Sequence, residues 1–131
     1  MTPNTILIVD DEPLVRWSVA ETLTDSGYRV TSAADAADAL RAMMGAGSRP
    51  DVVLLDIDLP DSKDLSVLSA IRQISPDSSV IVMTAYGSRK LFDEARERGA
   101  FASVDKPFEM SSLAPLVARA LASQTAVPSV Y

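Results

Sequence analysis

The chain of 131 residues contains neither cysteine nor histidine. The first absence excludes a disulfide framework and any thiolate metal site. The second removes the commonest general base and the commonest zinc ligand. Positive charge is short too: 12 Lys and Arg stand against 18 Asp and Glu, a formal net charge of −6. A surface that binds nucleic-acid phosphates needs basic residues, so direct nucleic-acid binding is not expected. No apolar run approaches the length of a bilayer span, and Met1-Thr2-Pro3-Asn4 has no signal-peptide pattern. These absences predict a soluble cytoplasmic protein without a membrane partner. Its chemistry is left to carboxylates, lysine, hydroxyls or backbone.

What is present is enough for one packed domain: 47% of the residues are hydrophobic and 23% charged. Short apolar runs at Thr5–Val9, Tyr28–Ala33, Val52–Leu55, Ser79–Met83 and Phe101–Val104 read as strands. Helical patterns lie near 13–26, 35–46, 64–74, 88–98 and 110–122. Ala36, Ala39, Leu40, Met43 and Met44 keep the spacing of one buried helix face, as do Leu113, Leu116, Val117, Ala120 and Leu121. The fourth helix sets Leu91, Phe92 and Ala95 among charges and is expected to pack least firmly. Strict alternation of strand and helix implies an α/β fold, a doubly wound parallel sheet with helices on both faces. Ile6–Val9, Val52–Leu55 and Val80–Met83 are continuously apolar, as strands buried on both faces require. The more mixed Tyr28–Ala33 and Phe101–Val104 read as edges, which gives the flavodoxin-like order 2-1-3-4-5. Residues 1–122 are expected to form the domain, and Ser123–Tyr131, with Pro128, a flexible tail or truncated linker.

In such a sheet ligands bind at the carboxyl ends of the strands. The first strand ends in Asp10-Asp11, the third in Asp56, the fourth in Thr84 and the fifth in Asp105-Lys106. Taken singly, each has a plain explanation: Asp10-Asp11 as a helix cap, Asp56–Pro60 and Thr84 as turn residues, Lys106 as a solvated lysine. Taken together they do not, because adjacent strand ends all carry chemistry into one cleft. Clustered carboxylates repel one another unless a cation neutralises them. Mg2+, which prefers oxygen ligands, suits the task, and Lys106 suits a phosphoryl oxygen. With no Gly-rich phosphate loop, a carboxylate nucleophile is the economical mechanism.

The segments Ile6-Leu7-Ile8-Val9-Asp10-Asp11-Glu12, Val53-Leu54-Leu55-Asp56-Ile57-Asp58-Leu59-Pro60, Met83-Thr84-Ala85 and Lys106-Pro107-Phe108 resemble the response-regulator receiver domain of two-component signalling. Ala85-Tyr86-Gly87 and Gly99-Ala100-Phe101 look most like receivers attached to enhancer-binding transcriptional activators. The resemblance implies that Asp56 is the phosphoacceptor, and that Asp11, Asp56 and the Asp58 carbonyl hold Mg2+. Asp10 would act behind these ligands or through a water. It further implies that Thr84 and Lys106 contact the phosphoryl group and that the Lys106–Pro107 bond is cis. The donor would be a histidine kinase or histidine phosphotransfer protein. The output would be a downstream protein target or a fused domain. The face of the fourth helix, fifth strand and fifth helix would carry the signal and could pair two copies. Such a protein is no enzyme beyond its own phosphorylation and dephosphorylation.

Three positions depart from or individualise the pattern. Ser103 stands where the family usually has an aromatic switch residue, so the signal is expected to pass through Phe101 or Tyr86 instead. Asp64 replaces a common loop glycine and is a helix-capping type. Asp58 and Tyr86 occupy the positions that commonly tune hydrolysis of the aspartyl phosphate. Two other readings compete. Asp56-Ile57-Asp58-Leu59 is similar to the nucleophile motif of haloacid-dehalogenase-type phosphatases, although that motif follows the first strand and not the third. A pseudo-receiver binding module would keep the fold without the acid set, which this chain has.

Overall fold

The computed structural model describes residues 4–45, 47 and 49–125, apart from the side chain of Thr125. Five parallel strands, β1 (Thr5–Val9), β2 (Arg29–Ala33), β3 (Val52–Asp56), β4 (Ser79–Thr84) and β5 (Ala102–Asp105), form one sheet in the order β2-β1-β3-β4-β5. Helices α1 (Pro13–Asp25), α2 (Ala36–Met44), α3 (Ser66–Ile74), α4 (Arg89–Glu97) and α5 (Leu113–Thr125) alternate with the strands. Each predicted strand and helix is present, and the mixed β2 and β5 are the edges.

Side chains of a strand alternate between faces, and the core divides accordingly. Leu7, Val9, Val53, Leu55, Val80 and Val82 pack with Ala39 and Met43 of α2, Leu68 and Ile71 of α3 and Ala95 of α4. Ile6, Ile8, Val52, Leu54, Ile81 and Met83 pack with Val19 and Leu23 of α1 and Leu116, Val117 and Ala120 of α5. Helix α4 buries fully only Ala95, with Leu91 and Phe92 half-buried. Its amphipathic face is narrow because charges crowd it, as the sequence implies.

Three boundaries differ from expectation. Helix α5 is preceded by a 3-10 turn, Met110–Ser112, and begins only at Leu113. At its other end it continues through Thr125, so Ser123, Gln124 and Thr125 belong to the helix and not to a tail. The physical reason is long-range: Gln124 Nε2 donates to Asp51 O at 2.6 Å and to Ser79 Oγ at 2.7 Å. The rest of the expected tail lies outside the described residues. Helix α3 starts at Ser66, not at Asp64; Leu65 turns into the core, and the Asp64 carboxylate accepts the N–H of Ser66 at 2.9 Å. The chain before it folds back on itself, with Leu59 and Ser62 exchanging main-chain hydrogen bonds.

Gly87, in the loop between β4 and α4, is placed where a Cβ would stand 2.0 Å from Asp105 Oδ1 and 2.5 Å from Phe92 Cζ. Gly87→Ala is therefore expected to destabilise the fold by about 1–3 kcal/mol, as overpacking does. Urea unfolding would measure this, and Asp105→Ala in the same chain should recover part of the loss. An unchanged midpoint in Gly87→Ala would contradict the close approach.

Candidate functional site

The site begins where the sheet ends. Main-chain bonds extend the ladder past the last strand residues: Asp10 N–H to Ala33 O at 3.1 Å, Ile57 N–H to Met83 O at 3.1 Å, and Lys106 N–H to Thr84 O at 2.8 Å. Registers pairing Val9 with Leu55, Asp56 with Met83 and Thr84 with Asp105 set the ends side by side. Asp56 follows Val52 and Leu54 in side-chain alternation, which aims it at the α1 and α5 face of the sheet.

There the Lys106 ammonium donates to Asp10 Oδ2 at 2.6 Å, Asp56 Oδ2 at 3.0 Å and Glu12 Oε1 at 3.3 Å. Asp10 and Asp56 are buried and the Lys106 side chain nearly so, while Glu12 is exposed. Asp10 Oδ1 accepts the N–H of Glu12 at 2.9 Å, and Asp56 Oδ1 accepts the N–H of Asp58 at 2.8 Å. Each buried carboxylate thus has one oxygen fixed by main chain and one on the lysine. Carboxylate oxygens of Asp10, Asp11, Glu12 and Asp56 all lie within 4.8 Å of one another. Four acids around one lysine leave a local excess of negative charge.

Burial pushes the Asp56 carboxyl above the ordinary aspartate value. The Asp58 N–H and Lys106 oppose that rise, while the Asp10 charge adds to it. Burial alone would push Lys106 down, but hydrogen bonds and charge from Asp10 and Asp56 outweigh it and hold the ammonium above lysine's usual value. Lys106 is therefore charged throughout the physiological range.

Asp11, Asp56, Asp58 and Lys106 border one open cleft of about 270 Å³, together with Glu12, Lys63, Ala85 and Tyr86. Thr84 is fully buried; its hydroxyl donates to Asp58 Oδ2 at 3.0 Å and accepts from Tyr86 N–H at 3.0 Å. The Lys106–Pro107 peptide bond is cis. Asp105, by contrast, stays out of the acid cluster and sits beside Gly87. Sequence reading gave Glu12 no role, and for Asp58 it named a main-chain metal ligand and a position that tunes hydrolysis but no partner for the carboxylate; both side chains take part, Glu12 on Lys106 and Asp58 on Thr84. It also missed Asp61, whose carboxylate accepts the N–H groups of Ala36 and Ala37 and is held below the usual carboxylate value mainly by the first of these bonds. This caps α2 from the loop after β3, 25 residues away. Near the absent aromatic, Ser103 borders a cavity of about 110 Å³ together with Phe92, Arg96, Ala100, Phe101 and Ala102. Phe92 of α4, read from the sequence only as an apolar position of a weakly packed helix, is thus an aromatic bordering both that cavity and Gly87.

Known proteins are similar to this chain in sequence and in fold. The family described as response regulator receiver domain matches residues 6–118. Sporulation initiation phosphotransferase F of Bacillus subtilis is 34% identical over 121 residues, covering 92% of this chain and 96% of that protein. The DNA-binding transcriptional regulator NtrC of Azospirillum brasilense is 34% identical over 125 residues. The chain covers 26% of that relative's length, and 55% of the transcriptional regulatory protein PdtaR of Mycobacterium tuberculosis. Among solved structures, a CheY-like receiver domain protein of Methanospirillum hungatei superposes with a TM-score of 0.87 at 28% identity, covering 94% of this chain and 97% of that one. The receiver domain of NtrX from Brucella abortus gives 0.81 at 35% identity, covering 90% and 98%. The phosphatase-like motif after β3 is therefore that of a receiver, and the chain belongs to the response regulator receiver domain family.

Proposed function

We propose that Asp56 accepts a phosphoryl group from a histidine kinase or a histidine phosphotransfer protein in a Mg2+-dependent reaction. The observation that carries this reading is the nearly buried Lys106 ammonium shared between Asp10 and Asp56 at the floor of an acidic cleft. The donor set fits the metal, because hard oxygen ligands within reach of one another are what Mg2+ takes. Asp11, Asp56 and the Asp58 carbonyl would hold it, with Asp10 behind them or acting through a water. When bound, the ion offsets charge on the acids and on the transferring group.

The protein's own groups do the rest. The Asp58 N–H holds the Asp56 carboxylate at the cleft, and burial makes it more basic than an ordinary aspartate. An Asp56 oxygen forms the new bond to phosphorus as the phosphorus–nitrogen bond to histidine breaks. Lys106 faces the transferred oxygens as a fixed positive charge. Thr84 supplies a hydroxyl donor. The chain acts on itself and does not turn over external phosphate esters. Exposed Leu14 and Trp17 on α1, the helix that follows Asp11 and Glu12, offer an apolar face for a donor protein beside the site. The α4, β5 and α5 face would carry the signal to a downstream protein, a fused output domain or a second copy. No helix among the described residues is long and apolar enough to cross a membrane.

Incubation with Mg2+ and acetyl phosphate, followed by intact mass, is expected to show one added phosphoryl group. EDTA or Asp56→Ala should abolish the addition. An unmodified wild-type chain, or equal modification of Asp56→Ala, would overturn the assignment.

A further inference from the structure

Thr84 has a single hydroxyl proton, and in the structure that proton points at the Asp58 carboxylate, 3.0 Å away. The same oxygen accepts the N–H of Tyr86, so the hydroxyl is engaged on both sides. Asp58 is also the residue whose N–H fixes Asp56 Oδ1. One residue therefore holds Asp56 through its main chain and Thr84 through its side chain.

We propose that Asp58 is a positioning residue that competes with a phosphoryl group on Asp56 for the Thr84 proton, and so sets how readily the segment after β4 responds to phosphorylation. The inference rests on Asp56 being the phosphoacceptor. A carboxylate and a phosphoryl group are both anionic acceptors, and each forms a charge-assisted hydrogen bond with a hydroxyl. When Thr84 changes partner, the gain is only the difference between two such bonds. With no acceptor at position 58, the whole second bond would favour the phosphorylated arrangement. The consequence travels along the chain, because the bond from Tyr86 N–H ties the Thr84 side chain to the main chain of the loop. The next residue, Gly87, lies against Phe92 of α4 and Asp105 at the end of β5. Movement of Thr84 thus has a packed route toward α4 that does not need an aromatic at position 103.

Removing Asp58 also removes a negative charge near the site, which by itself favours binding of an anion. The two effects separate in a double-mutant cycle on the full chain, titrated with beryllofluoride in Mg2+ as the phosphoryl mimic and read by calorimetry. Asp58→Ala is expected to tighten binding on the order of tenfold. In the Thr84→Val background the same change should give less than about threefold, whereas Thr84→Ser, which keeps the hydroxyl, should retain the full gain. Amide exchange over 84–92 should change at lower beryllofluoride in Asp58→Ala than in wild type. If Thr84→Val does not fold, as judged by urea unfolding, Thr84→Ala takes its place. Equal tightening in both backgrounds would reduce Asp58 to simple charge repulsion, and no tightening in Asp58→Ala would remove the competition altogether. Failure of the wild type to bind beryllofluoride would instead count against Asp56 as the acceptor.

Discussion

Lys106→Met is expected to lower stability in EDTA at neutral pH by about 3–5 kcal/mol, the usual consequence of leaving buried charge uncompensated. The substitution keeps most of the alkyl stem and removes the ammonium, so the loss reports charge and not packing. Two carboxylates would be stranded: Asp10, 0% exposed, and Asp56, 2% exposed, each of which now has one oxygen on Nζ. The partner with the exposed Glu12 adds little, as surface pairs do. Two further outcomes distinguish this cause from a general packing defect. Mg2+ should restore part of the stability, because a cation returns to the same carboxylates. Acid should narrow the gap between variant and wild type, because Asp56, whose pKa burial raises, no longer needs a counter-charge once protonated. Phosphorylation of the folded variant at saturating Mg2+ should slow by about 10²–10³-fold, the range seen when one preorganised electrostatic contact to a transition state is removed. A wild-type midpoint for Lys106→Met in EDTA would show that the cluster does not depend on this lysine.

The parts of this arrangement that the sequence displays are those set by local pattern. Unbroken apolar runs such as Ile6–Val9 and Val52–Leu55 announce strands covered on both faces, and Arg29–Ala33, in which Arg29, Thr31 and Ser32 are polar, announces an edge. Strand order follows, and strand order fixes which strand ends meet, so Asp10, Asp11, Asp56, Thr84 and Lys106 could be placed in one cleft from their positions alone. What stayed hidden depends on contacts between distant residues. Asp61 caps α2 across 25 residues and Asp58 holds Thr84 across 26, and neither spacing belongs to a helix or strand period. Gln124 extends α5 by reaching Asp51 and Ser79, although its own neighbours show no apolar repeat. Glu12 was given no role because that role exists only once Lys106, 94 residues later, comes beside it. Ser103 was legible as a departure, but its consequence was not, since one of the two aromatics that border its cavity, Phe92, comes from α4.

Asp56→Asn should separate stability from function at the residue on which both converge. The variant is expected to take up no phosphoryl group from acetyl phosphate, because an amide has no nucleophilic carboxylate oxygen. In EDTA at neutral pH it should nonetheless unfold at higher urea than the wild type. Burial raises the Asp56 pKa above 3.8, so the folded chain binds this proton more readily than the unfolded chain does. The stability linked to that proton is complete below about pH 3.8 and is lost as pH rises through the higher folded value. At neutral pH the wild type has lost it, and an uncharged amide avoids the loss. Lys106 keeps Asp10 as its partner in the variant, at 2.6 Å, so the lysine is not stranded in turn. The advantage of Asp56→Asn should therefore shrink as pH falls toward the unfolded value. It should also reverse as Mg2+ is added, since a ligand stabilises the state that binds it in proportion to RT ln(1 + [L]/Kd), and the variant has given up a charged ligand. A wild type more stable than Asp56→Asn at pH 7 in EDTA would mean that Lys106 and the Asp58 N–H outweigh burial. The acidic cluster would then be a stabilising feature of the fold, with no stability given up to keep the cleft ready for metal and phosphate.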